Sequence, residues 1–275
     1  MRHQKTHMTE KNISKERQEY LDNVRTYSFK IRFTQITILI LFLILWEVLA
    51  YFKIIDSFIT SKPTEIFTTF VNMLSEGLLM HVGVTCLETI IGFILGTIIG
   101  TLIASLLWWS PFFSQVISPY LVILNSLPKV ALGPIIIIWV GAGTSAIITM
   151  ALAISLIVTI MEMLNGFNST DGNYIKMAKT LGANKFQTFC KIVFPANIPT
   201  LLSAFKVNIG LCMVGVITGE FLVSKAGLGY LIVYGGQVFK LDLVMTSVII
   251  LAIVASLMYH SILFLGKLIT KKSNF

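Results

Sequence analysis

Residues 176–195 read KMAKTLGANKFQTFCKIVFP, and their periodicity predicts two short amphipathic helices joined at a glycine. The first apolar stripe comprises Tyr174, Met177, Ala178 and Leu181, and the second comprises Phe186, Phe189, Cys190 and Val193. Gly182 favours the left-handed conformation that ends a helix, and Asn184 with Gln187 forms the capping-box pattern that begins one. Because each helix is too short to be stable alone in water, each stripe is expected to need a partner surface.

The same stretch resembles the EAA motif of the permease subunits of ABC importers, which reads Glu-Ala-Ala, three residues, Gly, nine residues, Ile-x-Leu-Pro. The spacing around Gly182 is fully kept, with Lys for Glu, Met for Ala and Phe for Leu. The resemblance implies that residues 172–195 form coupling helices that dock into a cleft of a cytosolic ATP-binding subunit. The residues implied in this docking are Lys176, Met177, Ala178, Gly182, Phe186, Phe189, Ile192 and Pro195.

Composition places the chain among integral membrane proteins. Its 275 residues are 55% hydrophobic and only 12% charged, with a mean hydropathy of +0.83. Soluble domains carry roughly twice that charged fraction. A soluble globular fold is therefore excluded, and a polytopic all-α membrane protein is expected.

Six apolar stretches are long enough to cross a bilayer, which takes roughly 20 helical residues. They run over about residues 33–52, 82–107, 113–140, 144–164, 200–222 and 241–266. Residues 1–32 are predicted to form a partly disordered or loosely helical cytosolic arm. Residues 33–80 are predicted to hold the first span and an outer interfacial segment, and residues 81–270 the permease domain.

The distribution of Lys and Arg indicates how the chain is oriented. Fifteen of its 21 basic residues fall in the arm, in residues 172–195 and in the C-terminal tail. Because basic segments next to spans face the cytosol, all three are expected on that side, which six spans with both termini in the cytosol allow. We attribute the net charge of +8 to orientation and anionic lipid, and expect no nucleic-acid partner, since no DNA- or RNA-reading motif is present.

Two spans carry signals for packing and for a pathway. The stripe of small residues in span two comprises Gly92, Gly96, Gly100 and Ala104. Small residues on one face let another helix approach closely, so span two is expected to be a packed core helix. Span three is interrupted at Pro119, at residues 125–129 and at residues 133–134. Irregular backbone at membrane depth is tolerated only inside protein or along a water-filled cavity, so span three is expected to border the translocation path.

Four further stretches are similar to the branch of ABC importer permeases that handles sulfonates, taurine, nitrate and related molecules. They are TCLET at residues 85–89, LPKVALGP at 127–134, IWVGAG at 138–143, and GEFL followed by GLG within 219–229. Glu88 stands where that branch more often has Arg. The resemblance implies a type I ABC importer transmembrane domain of six helices in the cell membrane of a prokaryote.

The same resemblance implies the partners of the chain. They are a second copy of this chain, two copies of an ATP-binding subunit, and an external substrate-binding protein that delivers the cargo. ATP and Mg²⁺ would be used by the partner ATPase, and no cofactor is expected in this chain. The expected cargo is a small organic anion such as an alkanesulfonate or taurine, with nitrate or a thiamine-precursor pyrimidine as alternatives.

The candidate translocation-path residues are Asn125, Ser126, Lys129 and Glu220. A cation such as Lys129 near the middle of a span costs about 3 kcal/mol or more, so it is expected to have a partner or a task. It could favour an anionic cargo, or it could be neutralised by a carboxylate within a span. The carboxylates available for this are Glu47, Glu88, Glu162 and Glu220. For Glu220 itself, a gate or docking residue and a solvated interfacial acid are both open.

No catalytic machinery is visible in the sequence. It contains no phosphate-binding loop of the form GxxxxGK[ST], no metal-ligand spacing of His or Cys, and no nucleophile with a base. We therefore expect a transport subunit that is not an enzyme. An ion-coupled secondary transporter is the alternative from another class, and it would require internal repeats, of which no convincing one is found.

Overall fold

The computed structural model describes residues 15–273, in which there are helices and no β-strand. The helices are α1 (Lys15–Tyr51), α2 (Ser57–Thr60), α3 (Pro63–Ser75), α4 (Leu78–Trp109), α5 (Pro111–Ser126), α6 (Gly133–Val140), α7 (Thr144–Asn168), α8 (Gly172–Thr180), α9 (Lys185–Thr188), α10 (Phe194–Ala196), α11 (Ile198–Val223), α12 (Leu228–Gln237) and α13 (Leu241–Ser273). A 3-10 turn, Lys129–Leu132, precedes α6, and a π-helical turn, Phe189–Val193, joins α9 to α10. The chain divides after Thr64 into two compact units.

The predicted N-terminal arm overlaps the first helix. Residues 1–14 of the arm lie outside the described residues. Residues 15–32 are helical and continue into the apolar stretch as the single helix α1, so the arm and the span share one helix where the sequence predicted a boundary.

The predicted number of spans is confirmed. Within residues 15–273, the helices long and apolar enough to cross a bilayer are Tyr20–Tyr51, Leu78–Trp109, Thr144–Asn168, Ile198–Val223 and Leu241–Gly266. The pair Pro111–Ser126 and Lys129–Val140, bent by 88° at its break, gives the sixth when it is counted as one span. The all-helical membrane fold class is therefore confirmed.

The break in the third span lies at one of the three predicted places. Leu127 has an extended backbone, with ψ at 139°, because a residue before proline is driven out of the helical region. Pro119 does not interrupt α5, which continues through it, and Gly133 and Pro134 begin α6. A proline in the first turn of a helix loses no hydrogen bond, so this second pair starts a helix where the sequence predicted an interruption.

The core of the second unit is built from α4, α7 and α11. The predicted glycine stripe of α4 lies against α7: an added Cβ would lie 2.7 Å from the Ala151 Cβ at Gly92, and 2.6 Å from the Thr159 Cβ at Gly100. From the other side, an added Cβ at Gly215 of α11 would lie 2.6 Å from the Ala151 Cα. The expected packing role of span two is thereby confirmed, because only glycine allows the backbones to come this close.

A second cluster of buried apolar side chains packs around α11. Its buried members are Met73, Leu78, Met213, Leu228, Leu231, Ile250 and Val254. They come from α3, α4, α11, α12 and α13. The segment predicted to lie at the outer interface thus includes a helix, α3, whose Met73 is buried in this cluster, and α12 packs beside it.

Candidate functional site

The segment that joins α7 to α11 folds as two short helices, as its sequence predicts. Asp171 caps α8 by accepting a hydrogen bond from the Asn173 N–H at 2.8 Å. Gly182 ends α8 with φ at +81°, a left-handed conformation that an L side chain strains to adopt. The predicted capping box at α9 is present: Asn184 accepts from the Gln187 N–H at 2.8 Å, and the Gln187 side chain accepts from the Asn184 N–H at 2.9 Å.

This segment carries an apolar face that no other described part of the chain covers. We call it the docking face, and its members are Tyr174, Met177, Leu181 and Phe186, which are 57%, 53%, 79% and 61% exposed. Ala178, the fourth member of the first predicted stripe, is buried instead. The stripe was therefore predicted as one surface but divides into an inner and an outer part.

Phe189 attaches the segment to the membrane helices. It is buried, and its ring centroid lies 5.1 Å from that of Trp108 at the end of α4 and 5.3 Å from that of Phe167 at the end of α7. The Lys185 Nζ donates a hydrogen bond to the Trp109 carbonyl oxygen at 2.5 Å. The segment is therefore packed against the ends of α4 and α7 through aromatic rings.

The predicted docking residues fall on both sides of the segment. Exposed are Lys176, Met177, Gly182, Phe186 and Pro195, buried are Ala178 and Phe189, and Ile192 is half-buried. No role for Trp108 and Trp109 was predicted from the sequence. The available signal was the pair of tryptophans at the end of an apolar span, where such rings mark the membrane interface.

Lys129 and Asn125 lie together at the bend of the third span. The Lys129 Nζ donates to the Asn125 side-chain oxygen at 2.9 Å and is half-buried. Within residues 15–273 no carboxylate lies beside the Lys129 ammonium group. The alternative of a neutralising carboxylate is therefore not seen in the described chain. Ser126, which is exposed, donates its hydroxyl to the Val122 carbonyl oxygen one turn earlier at 2.9 Å.

Glu220 is 1% exposed, so the prediction of a solvated interfacial acid is wrong. One carboxyl oxygen accepts a hydrogen bond from the Thr85 Oγ1 at 2.7 Å, and the other accepts from the Gly229 N–H at 2.6 Å. Thr85 Oγ1 in turn accepts from the Leu228 N–H at 2.8 Å. We call residues 224–229 with this carboxyl group the latch, because it fastens the start of α12 to α4 and α11.

The latch requires glycine at two of its positions. An added Cβ at Gly229 would lie 2.8 Å from Glu220 Oε2, and Gly227, with φ at +109°, is in contact with the same carboxyl group. The Gly227 N–H donates to the His81 Nδ1 at 3.0 Å. Sequence reasoning gave no role to Thr85 or His81, although polar residues near one end of an apolar span were a signal for them.

Glu88 lies in the same helix as Thr85 and is 2% exposed. Its Oε2 is buried with no hydrogen-bond partner. Among residues 15–273, no group of three or more His, Cys, Asp or Glu side chains is placed to hold a metal ion.

Comparisons with known proteins agree with the geometry. Residues 92–274 match the family described as "Binding-protein-dependent transport system inner membrane component". A probable ABC transporter permease of Haemophilus influenzae is 27% identical over 80% of this chain and 89% of its own length. The riboflavin transport system permease RibX of Chloroflexus aurantiacus is 31% identical, over 80% and 83%. The putative aliphatic sulfonates transport permease SsuC of Bacillus subtilis is 26% identical, over 78% of each chain.

A solved structure has the same fold. The MetNI methionine ABC transporter, in an inward-facing form, contains a chain that superposes with a TM-score of 0.62 at 20% identity, over 72% of this chain and 96% of that chain. The likeness supports a type I ABC importer transmembrane domain. The protein therefore belongs to the family of binding-protein-dependent transport system inner membrane components, which are multi-pass permease subunits of ABC transporters in the cytoplasmic membrane.

Proposed function

We propose that this chain is the permease of an ATP-driven importer and that it works as a homodimer. Each copy binds one ATP-binding subunit through the docking face and receives cargo from an external substrate-binding protein. The observation that carries the proposal is the docking face itself. Four large apolar side chains stand exposed on a segment that positive-inside charge places in the cytosol, and an exposed patch of this kind marks a protein interface.

The attachment of the segment supports mechanical coupling. Phe189 packs against Trp108 and Phe167, at the ends of two helices of the core. When ATP brings two ATP-binding subunits together, the docking faces move with them. The rings then carry that displacement to α4 and α7, which switches the pathway between inward-facing and outward-facing states as a rigid-body, two-state transition.

Thiol protection tests the docking face. The native cysteines Cys86, Cys190 and Cys212 are first replaced by Ser, because Cys190 is exposed and would react. We expect the Leu181→Cys variant to be labelled rapidly by a maleimide in the permease alone and slowly once the ATP-binding subunit is bound. Leu181 is the most exposed member of the docking face, so it reports on coverage directly.

Lys191→Cys is the matched control, because Lys191 is exposed on the same segment but outside the docking face. Its labelling rate is expected to change little when the ATP-binding subunit binds. Equal labelling of the Leu181→Cys variant in the permease alone and in a complex that demonstrably contains the ATP-binding subunit would reject this docking mode.

For the cargo, we propose a small organic anion of the alkanesulfonate or taurine type. Lys129 supports an anion, because its ammonium group donates to two neutral oxygens of Asn125, and no carboxylate lies beside it within residues 15–273. The similarity to an aliphatic sulfonates permease points the same way, while the similarity to a riboflavin permease keeps other cargo open. Nitrate and a thiamine-precursor pyrimidine are the remaining alternatives.

The cargo can be identified from the ligand bound to the substrate-binding protein that is purified together with this chain. We expect mass spectrometry of its bound ligand to find a sulfonate, and uptake in proteoliposomes to depend on ATP and on that protein. A ligand that carries no anionic group would reject this proposal. Uptake driven by an ion gradient with this chain alone would instead favour a secondary transporter.

A further inference from the structure

A groove of about 480 Å³ opens between the membrane helices and the segment that joins α7 to α11, which we call the docking segment. Polar and aromatic side chains in its wall include Trp108, Ser114, Gln115, Asn168, Lys179 and Lys185. They come from α4, α5, α7, α8 and α9, so the groove exists only because the segment folds back on the bundle. Its size falls within the range of about 300–1,000 Å³ typical of small-molecule sites.

The groove is positively charged. Two lysines line it, Lys179 and Lys185, and none of its lining residues is acidic. The Lys185 Nζ lies 5.8 Å from the centroid of the Trp108 ring and donates one hydrogen bond to a backbone carbonyl. The Lys179 ammonium has no hydrogen-bond or ion-pair partner within the described chain. Two cations without a counter-charge in one concave site favour an anionic ligand.

The start of α5 adds further donors for an anion. Pro111 and Ser114, both in the first turn of this 16-residue helix, line the groove. A helix N-terminus carries a partial positive charge and unpaired N–H groups. Pro111 has no N–H, and Ser110 accepts the Phe113 N–H on its hydroxyl at 3.5 Å and the Ser114 N–H on its carbonyl oxygen at 2.9 Å. The donors left at this end of α5 are therefore the Phe112 N–H and the Ser114 hydroxyl, which lines the groove.

The position of the groove relates it to the membrane surface. Trp108 and Trp109 end the span Leu78–Trp109, where aromatic rings mark the depth of the headgroups. Leu107 and Ile175 give the wall an apolar part beside the lysines. Basic pockets between membrane helices on the cytosolic side bind the headgroups of anionic lipids, because phosphate meets the cations while the glycerol and acyl carbons stay in apolar surroundings.

We propose that this groove binds the phosphate group of an anionic phospholipid of the cytosolic leaflet, held between Lys179, Lys185 and the N-terminus of α5. The lipid would lie between the docking segment and the ends of α4 and α5. It would thereby stabilise the position from which the segment meets its partner. Binding of the lipid requires neither the cargo nor the ATP-binding subunit, so it holds or fails independently of the proposed function, and only its effect on docking rests on that function.

The test compares purified full-length protein in nanodiscs of phosphatidylcholine and in nanodiscs of an equimolar mixture with phosphatidylglycerol. Native mass spectrometry after release into detergent measures how much phosphatidylglycerol is retained. We expect selective retention by the unchanged protein and, for the double variant K179Q/K185Q, a loss of affinity of about 30-fold, since each lysine near an anionic surface contributes about one kcal/mol.

The double variant K191Q/K206Q is the matched control. It removes the same charge from two exposed lysines near the same end of the bundle that do not line the groove. Retention of phosphatidylglycerol is expected to stay within about 2-fold of the unchanged protein, as for surface charges away from a site. A third variant, Gln115→Glu, places a negative charge in the groove without touching the docking segment and is expected to lower retention as well.

Three results would overturn the proposal. The first is equal retention by K179Q/K185Q and K191Q/K206Q, and the second is unchanged retention by Gln115→Glu. The third comes from adding inorganic phosphate to the protein in phosphatidylcholine nanodiscs, because free phosphate is the other possible source of the bound phosphate group. If phosphate raises the thermal midpoint of the unchanged protein but not of K179Q/K185Q, and phosphatidylglycerol is not retained, the groove binds a free anion and the lipid assignment is wrong.

Discussion

Replacing Glu220 by Gln is expected to open the latch. The carboxyl group accepts two hydrogen bonds, one from the Thr85 hydroxyl and one from the Gly229 N–H, and it is 1% exposed. A Gln side chain has nearly the same shape but carries one oxygen and one amide nitrogen. With its oxygen toward the Gly229 N–H, the Gln side chain turns its NH₂ group toward the Thr85 oxygen, so the buried Thr85 O–H loses the acceptor that Glu220 provides.

The size of the effect follows from the burial of the site. A buried donor left without an acceptor costs about 1–3 kcal/mol. If this is the free energy that separates the closed latch from an open one, the open population rises about 5- to 150-fold. The loss is expected to be local, because residues 224–229 lie between two helices and can separate from α4 while the core of α4, α7 and α11 stays packed.

Trypsin provides a direct measurement, because Lys225 is an exposed cleavage site inside the latch. When opening and closing are fast relative to cleavage, the rate of cleavage follows the open population. Cleavage after Lys225 in the Glu220→Gln variant should therefore be faster by the same about 5- to 150-fold, as quantified by mass spectrometry of the fragments.

Glu162→Gln is the matched control for this measurement. Glu162 is a half-buried carboxyl group in α7, and the same chemical change there is expected to leave cleavage after Lys225 within about 2-fold of the unchanged protein. If the Glu220→Gln variant is cleaved at the rate of the unchanged protein, the two hydrogen bonds do not hold the latch closed and the reasoning is refuted.

Two glycine substitutions test the docking segment and the core. Gly182→Pro is expected to abolish transport while membrane insertion stays intact, because proline fixes φ near about −65° whereas Gly182 has φ at +81°. Normal uptake, measured beside expression in the membrane fraction, would count against the coupling role. Gly92→Ala is expected to destabilise the permease by about 1–3 kcal/mol, because the new Cβ meets the Ala151 Cβ at 2.7 Å. In thermal unfolding, Gly210→Ala, with open space at its Cβ, should behave as the unchanged protein, and an equal midpoint for both variants would contradict the packing argument.

Local features of the docking segment and of the third span were predictable from the sequence. The end of α8 at Gly182, the capping box of Asn184 with Gln187 and the break before Pro128 all appear where the residue pattern places them. These features depend on backbone preferences and on hydrogen bonds between residues at most four positions apart. No distant part of the chain is needed to decide them.

Which side of an apolar stripe faces inward was not predictable in the same way. The 3.6-residue period groups Ala178 with Tyr174, Met177 and Leu181, but it carries no information on which of them meets another helix. In the fold, the small side chain of Ala178 is covered and the three large ones are exposed. The choice depends on how the segment packs against the rest of the fold, which the period of the stripe does not encode.

The sequence by itself determined an all-helical membrane protein, six apolar stretches, the glycine stripe of α4 and the two-helix segment with its caps, because hydropathy, periodicity and capping act over one or a few turns. Only the tertiary structure decided that Glu220 is buried in the latch, since its partner Thr85 is 135 residues away in the chain. The groove beside Lys179 and Lys185 has the same origin, because five helices contribute to its wall. Contacts between residues so far apart depend on how the helices pack, and packing is a property of the whole chain.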